Sequence, residues 1–374
     1  MALSVSFVRV ARQEKEGIIV SDTRVRIALV GCGRISPRHI EVVSELAEAE
    51  LVGVTDIDPS RATSRVAERG VPVYGTLDEM MQKARPEVVS VLTPSGDHPE
   101  RVIELARRGV HVIVEKPMAL RLEDADRMIE TCDRAGVKLF VVKQNRYNLP
   151  VRRLREAVEA GRFGKLVMGT VRVRWSRGQA YYDQDAWRGT WAQDGGVLAN
   201  QASHHIDLLL WMMGPVESVM AKSATRLVDI EVDDTAVAVL KFTSGALGVI
   251  EATTATRPKD LEGSISILGE GGSVEIAGFA MNEMRHWNFV APLPGDERRL
   301  EEDKTNPPNV YGFGHREFYR AVIANLRTGR REHALVDGLE GRKSLELINA
   351  IYESVETGRE VPLVFRPHWS RLGK

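Results

Sequence analysis

Two groups of residues in this chain have types and spacings that could do chemistry. The first is Gly31-Cys32-Gly33-Arg34-Ile35-Ser36, which follows the apolar run Val25 to Val30 and opens into a helical pattern. The next apolar run, Leu51 to Thr55, ends on Asp56. A strand, a glycine turn, a helix and a second strand tipped by a carboxylate are the parts of a dinucleotide site. Glycine lets backbone amides approach a pyrophosphate, the helix amino end favours its negative charge, and Asp56 can accept from both hydroxyls of an adenosine ribose. An arginine, Arg34 or Arg61, could hold a ribose 2′-phosphate, but Asp56 would repel it, so NAD is the expected cofactor. Ser36 stands where the pattern usually has glycine or alanine, and it is small enough to fit.

The second group begins at Asp194-Gly195-Gly196 and runs through Asn200-Gln201-Ala202-Ser203-His204-His205-Ile206-Asp207 to Met213, before Gly214-Pro215. The pattern predicts one helix with a clear stop. On it Asn200, His204 and Asp207 fall at i, i+4 and i+7, so one face presents an amide, an imidazole and a carboxylate. Leu198, Ile206, Leu209 and Met213 can feed the core from the same helix. A helix histidine is more often structural than catalytic, and the spacing alone does not decide between the two. No metal is expected here, because adjacent residues such as His204 and His205 diverge by about 100° on a helix and no further ligand cluster is visible.

The elements that must position these groups follow from the apolar pattern. Between Val25 and Gln144 strand and helix alternate: Val88 to Leu92, a helix after Pro99 that Asp97 or His98 can cap and Gly109 ends, Val110 to Val114, a helix from Glu123, and Val137 to Val142. That is the alternation of a doubly wound parallel sheet, in which ligand residues lie just past the carboxyl ends of strands. The rule nominates Thr93-Pro94-Ser95, Glu115-Lys116-Pro117 and Gln144-Asn145-Arg146. From Tyr147 the pattern changes to a helix over Val151 to Ala160, a strand over Leu166 to Trp175, and a loop holding Tyr181, Tyr182, Trp187 and Trp191. Strands Thr235 to Phe242, Ala246 to Thr254 and Ser264 to Leu268 follow across short turns, then helices His315 to Arg327 and Gly338 to Thr357. The fold class is therefore α/β: an N-terminal Rossmann sheet over 24–145, and a C-terminal α+β domain over 146–374 with a large, mostly antiparallel open sheet. Residues 1–23 read as an extension, in which Ser4 to Val10 could add an edge strand.

Composition narrows the partners. The chain has 374 residues, 51 basic against 52 acidic side chains, and no long basic run, which argues against nucleic acid or a membrane surface. No apolar stretch reaches membrane-spanning length or forms a signal peptide, so a cytoplasmic enzyme is expected. Cys32 and Cys132 are the two cysteines, in no metal-ligand spacing, and a disulfide at Cys32 would obstruct the glycine turn.

The glycine turn, the Glu115-Lys116-Pro117 triplet at a strand end, and a histidine three residues before Asp207 resemble, as a set, the glucose-fructose oxidoreductase and inositol dehydrogenase (Gfo/Idh/MocA) family over Arg24 to about Leu363. The resemblance implies that Lys116 and His204 flank a sugar hydroxyl beside the nicotinamide, and that Lys116-Pro117 is a cis peptide. Many members carry aspartate four residues before the histidine, where this chain has Asn200. Asn200 in its Asn-Gln-Ala-Ser-His-His context, with Val142 to Asn148 and Tyr181 to Trp191, resembles the bacterial UDP-N-acetylglucosaminuronate 3-dehydrogenases. That branch implies oxidation of a nucleotide-linked sugar at C3, with His204 as base, Lys116 holding the hydroxyl oxygen and Asn200 orienting substrate or imidazole. Expected cofactor contacts are Gly31, Gly33, Arg34, Ile35, Asp56, Thr93, Pro94, Ser95, His98, Glu115, Lys116 and Gln144. Expected substrate contacts are Lys116, Arg146, Tyr182, Trp187, Arg188, Asn200, Ser203 and His204; Arg146, Arg188 and Tyr182 either face the uronate or pyrophosphate or make surface or interdomain contacts. A free-sugar or inositol dehydrogenase is the alternative, and a non-catalytic NAD-binding sugar sensor is the second. Relatives pair through the open sheet, so a homodimer or homotetramer is expected.

Overall fold

The computed structural model describes residues 24–304 and 312–363; the expected edge strand at Ser4 to Val10 lies outside them. The first apolar runs form six parallel strands: β1 (Val25–Val30), β2 (Ala49–Thr55), β3 (Val73–Tyr74), β4 (Val88–Val91), β5 (His111–Val114) and β6 (Leu139–Val141). Helices α1 (Ser36–Glu45), α2 (Pro59–Val66), α3 (Leu77–Ala84), α4 (His98–Arg107) and α5 (Leu122–Ala135) connect them in turn. With helices on both faces these strands are buried along nearly their whole length, which is why they read as unbroken apolar runs. The strand order is β3-β2-β1-β4-β5-β6. It reverses between β1 and β4, and a crevice opens beyond the carboxyl ends at that point.

The second sheet has eight strands. β7 (Leu166–Arg174), β8 (Val216–Ala224), β9 (Thr235–Phe242), β10 (Leu247–Thr253), β11 (Glu262–Gly269), β12 (Gly272–Ala277), β13 (Glu283–Phe289) and β14 (Val361–Pro362) are ordered β13-β12-β11-β7-β10-β9-β8-β14. Among these described strands only β7 and β10 pair in parallel. Here one face is covered and one is open, so residues alternate: in β9, Ala236, Ala238, Leu240 and Phe242 point inward while Val237 and Val239 are exposed. The helices after the first sheet are α6 (Leu149–Glu159), the short α7 (Gln179–Tyr182), α8 (Ser203–Met213), α9 (Arg299–Glu302), α10 (Gly314–Thr328) and α11 (Gly338–Thr357). α8 lies on β7 and β11. It approaches so closely at Gly169 that a β-carbon there would sit 2.7 Å from Met213 Cγ and 2.8 Å from Leu209 Cδ1.

Three expectations need adjustment. The helix foreseen from Asp194 begins only at Ser203. Gly195 takes φ +75°, and the chain from Gly196 to Ala202 is a run of turns in which Ala202 N donates to Val197 O rather than to a carbonyl four residues back. Asn200 therefore precedes α8 instead of sharing its face. Helix α4 starts at His98, just ahead of the Pro99 expected to open it; Asp97 makes no side-chain cap hydrogen bond and the His98 ring is buried instead. Finally, the last helices return to the first sheet: Tyr319 of α10 hydrogen-bonds His39 Nδ1 (2.7 Å) and Ser90 Oγ (2.9 Å), and Val141 N donates to Val336 O (2.9 Å). The chain beyond residue 146 is thus shared between both sheets. Among the described residues no helix is long and apolar enough to cross a membrane.

Candidate active site

One cavity of about 1190 Å³ runs from the tip of β2, across the ends of β1, β4, β5 and β6, to the loop between β7 and α8. Its first half is mostly backbone. Gly31 has φ +96°, and a β-carbon there would lie 2.7 Å from Leu92 C and 2.9 Å from Thr93 N, so this position accepts only glycine. At Gly33 nothing lies within 4 Å of where a β-carbon would be, which leaves that backbone open to a ligand. Ser36, the departure from the usual pattern, fits: it is fully buried, and its hydroxyl donates to Gly33 O at 2.8 Å, closing the turn into α1. Asp56 accepts from Cys32 N (2.6 Å) and Asp58 N (2.8 Å), which fixes its carboxylate against the glycine turn. Arg61 stands 3.9 Å from it. Ile35, Thr93, Pro94, Ser95 and His98 complete this wall, with the His98 ring spanning Thr93 O and Pro117 O at 2.9 Å each.

The second half is built from side chains. Glu115, at the end of β5, accepts from Lys116 N (3.0 Å) and contacts His39 Nε2 (2.9 Å), and the Lys116–Pro117 peptide is cis. The Lys116 ammonium then donates to Asn200 O (2.9 Å) and Asn200 Oδ1 (3.1 Å). Burial lowers the Lys116 pKa below its ordinary value; Glu115 and Asp194 oppose the fall and Arg188 adds to it. His204, at the start of α8, meets Gln144 across the cavity wall, Nε2 to amide nitrogen at 3.1 Å. An amide nitrogen can only donate, so His204 Nε2 is the accepting nitrogen and bears the lone pair. Burial, followed by the charges of Lys116 and Lys143, pushes the His204 pKa well below 6.5. A neutral imidazole with a lone pair and a desolvated ammonium, opening on one cavity, can take a proton and hold an oxyanion.

Trp187, Arg188, Asn200 and His204 line the cavity, and three expected substrate contacts do not. Arg146 is buried under α8, paired with Asp207 through two 2.8 Å bonds and with Glu340 at 3.2 Å, and stacked over Trp211; its guanidinium is consumed in the core. That pair also removes Asp207 from the face expected to carry Asn200 and His204. Tyr182 turns inward, its hydroxyl 3.1 Å from Thr254 Oγ1, and burial raises its pKa to about 12. Ser203 is buried, with its hydroxyl 3.4 Å from Asn200 O.

Other wall residues escaped the sequence. Tyr181 takes the place foreseen for Tyr182: Arg188 donates to its hydroxyl (2.9 Å), and Arg34 of the glycine turn lies over its ring, 5.4 Å from the centroid. Trp175, Arg177, Gln201, Asp260, Phe279 and His315 also line the cavity, brought in from the end of β7, the turn before α8, the stretch before β11, the β12–β13 connection and α10. The aromatic and basic character of Trp175 to Arg188 was the one available signal. His39, Glu115 and His315 bring ligand-type atoms within 4.8 Å of one another, but both His39 nitrogens are engaged, with Glu115 and Tyr319, so the cluster braces the Glu115 carboxylate.

Comparison with known proteins agrees with this geometry. Residues 25–143 match the oxidoreductase family with an NAD-binding Rossmann fold, and residues 151–275 match the GFO/IDH/MocA C-terminal domain. A myo-inositol 2-dehydrogenase of Thermotoga maritima is 31% identical over 91% of this chain and 98% of its own. The structure of the WlbA dehydrogenase from Bordetella pertussis, in complex with NADH and UDP-GlcNAcA, is 45% identical over 93% of this chain and 100% of that one, with a TM-score of 0.88. The corresponding enzyme from Chromobacterium violaceum, also with NADH and UDP-GlcNAcA, is 45% identical over 93% of this chain and 98% of that one, with a TM-score of 0.87. With a nucleotide crevice at the sheet's switch point, and family matches on both halves, this chain is an NAD-dependent oxidoreductase of the Gfo/Idh/MocA family.

Proposed function

We propose that the protein oxidises the C3 hydroxyl of a nucleotide-linked sugar, with UDP-N-acetylglucosaminuronate as substrate and the 3-keto sugar as product. The observation that carries this reading is the cavity, whose about 1190 Å³ continue past Lys116 and His204 along Trp175, Arg177, Tyr181, Trp187 and Arg188. A dinucleotide and a free sugar would leave that aromatic and basic extension unused, whereas a base, a diphosphate and a uronate need such a wall. The likeness to two WlbA dehydrogenases that hold UDP-GlcNAcA supports the same choice.

Gly31, Gly33, Asp56 and the Thr93 loop would hold NAD, which when bound supplies the acceptor for the hydride leaving C3. His204 Nε2 takes the hydroxyl proton once the substrate hydroxyl replaces the Gln144 amide as its donor. Its depressed pKa keeps it unprotonated and ready at neutral pH. Lys116 donates to the same oxygen and stabilises the charge that develops there, an effect of about 2 to 4 kcal/mol if it equals one oxyanion donor. Asn200 anchors Lys116 through two acceptors and so aims the ammonium.

Turnover with a panel of nucleotide sugars, free sugars and inositols, read by mass spectrometry and NADH absorbance, tests the assignment. NADH formation and loss of two hydrogens from UDP-N-acetylglucosaminuronate is the expected result. Oxidation of inositol or free sugars alone would favour the inositol dehydrogenase reading that the 31% identical relative represents. Tight NAD binding with no turnover of any of them would make the protein a sensor.

A further inference from the structure

Asp194 is a buried carboxylate that the mechanism above leaves without a task. It is 1% exposed, does not line the cavity, and among the described residues has no basic side chain within 4.0 Å. Both its oxygens are nevertheless occupied by N–H donors: Oδ2 by Gly189 N at 2.8 Å, and Oδ1 by the Asn200 side-chain amide. Burial raises its pKa above the ordinary carboxylate value, and the Gly189 bond, Lys116 and Arg188 oppose the rise. A carboxyl accepting two N–H bonds fits its ionised form, which can only accept.

The far end of the same amide is Asn200 Oδ1, which accepts from Lys116 Nζ at 3.1 Å. Ammonium, amide and carboxylate thus form one chain whose polarity is forced. Because Asp194 can only accept, the Asn200 NH₂ must face it, and the amide oxygen must face Lys116. We propose that Asp194 is a positioning residue for Lys116, fixing the Asn200 amide with its oxygen toward the ammonium and supplying, one amide away, the negative charge that keeps Lys116 protonated beside the reacting hydroxyl. The inference rests on the reading of Lys116 as the group that holds that oxygen. The charged and titratable groups acting on Lys116 are Glu115, Asp194 and Arg188, with Lys143 and His204 coupled to it in turn; of these Glu115 and Asp194 favour the ammonium.

Exchange of the two side chains provides the test. In Asp194→Asn the new amide keeps its bond from Gly189 through its oxygen, turns its own NH₂ on Asn200, and so flips the Asn200 amide until a donor faces a donor at Lys116. In Asp194→Asn combined with Asn200→Asp every bond is restored. Gly189 donates to the new amide's oxygen, that amide's NH₂ donates to the new carboxylate, and Lys116 donates to the same carboxylate, now in direct contact. The Lys116 pKa is read without any substrate, from the pH dependence of its acetylation rate in the NAD-bound enzyme by peptide mass spectrometry. It should fall in the single variant and rise above the wild-type value in the double one, where the carboxylate touches the ammonium directly. With UDP-N-acetylglucosaminuronate, kcat should fall about tenfold or more in the single variant and recover most of that loss in the double, NAD affinity staying level, as expected for a donor turned away from a developing oxyanion. An unmoved Lys116 pKa in both variants would overturn the inference. If the single variant does not fold, an upward pKa shift in the double variant supports the link and an unchanged value refutes it. A pKa that moves as expected in an enzyme that oxidises no nucleotide sugar would uphold the Asp194 link and discard the substrate.

Discussion

The two halves of the cavity are built on different principles. The cofactor half is backbone at the ends of parallel strands, with Asp56 as its one side-chain anchor, and its parts lie close in sequence: Asp56 reaches Cys32 across one strand–helix–strand unit. The half proposed to react is assembled from side chains far apart in the chain, Lys116 meeting Asn200 and Gln144 meeting His204, within a shell of buried polar links. The first is dictated by topology, and a change there should alter what is bound. The second depends on tertiary hydrogen bonds, and a change there should alter the rate and its pH dependence.

The sharpest separation comes from His204→Ala, which should lower kcat by about 10² to 10⁴ while NAD affinity, measured by fluorescence titration, stays within about twofold. Lys116→Ala should follow, with kcat/KM down by about 10² to 10³ in steady-state assays, the range seen when one oxyanion donor is removed. On the other side of the comparison, Asp56→Ala should weaken NAD by about 10- to 100-fold, the loss expected for hydrogen bonds to a charged acceptor, and should weaken NADP far less. Wild-type enzyme preferring NADP would remove Asp56 from this role.

The pH profile distinguishes the halves again. His204 is depressed by burial first and by Lys116 next, so it is neutral across physiological pH. kcat/KM should therefore stay flat as pH falls through 6.5 and drop only as the ring finally protonates. Removing one neighbouring cation by Lys116→Met eases protonation, so the acid limb of the residual activity should move to higher pH. A limb at the same pH in both enzymes would mean that the titrating group is not His204.

How far the sequence reached follows the same division. Periodicity placed β9 and α11 at their observed bounds, Thr235–Phe242 and Gly338–Thr357, because each buries one face against the core. It overran at Asp194 to Ala202, where apolar residues are buried by turns rather than by helix, and Gly195 at positive φ was the unread signal. The β12–β13 hairpin was not foreseen, its apolar residues Val274, Ile276, Met284, Trp287 and Phe289 being interleaved with Glu275, Arg285, His286 and Asn288. Arg146 and Tyr182 were placed in the site for being basic and aromatic near it. Only tertiary partners, Asp207 and Thr254, reveal that they face the core.

Those two residues supply the smallest expected effects on catalysis. Arg146→Met breaks a buried pair and should destabilise the fold by about 3 to 5 kcal/mol in denaturant titration, leaving the substrate KM of the folded enzyme within about twofold. Tyr182→Phe removes one buried hydrogen bond, so it should lower stability by about 1 kcal/mol and leave turnover alone. A large rise in KM in either variant would return that residue to the substrate wall.

The proposed role of Lys116 and His204 is to activate the C3 hydroxyl of a nucleotide sugar for hydride loss to NAD. Its most direct test is one incubation of enzyme and NAD with UDP-N-acetylglucosaminuronate carrying deuterium at sugar C3, followed by mass spectrometry of the reduced cofactor. The expected product is NADH bearing the deuterium, formed more slowly than with unlabelled sugar and about 10² to 10⁴ times more slowly again with His204→Ala. Unlabelled NADH from the wild-type enzyme, or labelled NADH formed as fast by His204→Ala, would contradict it.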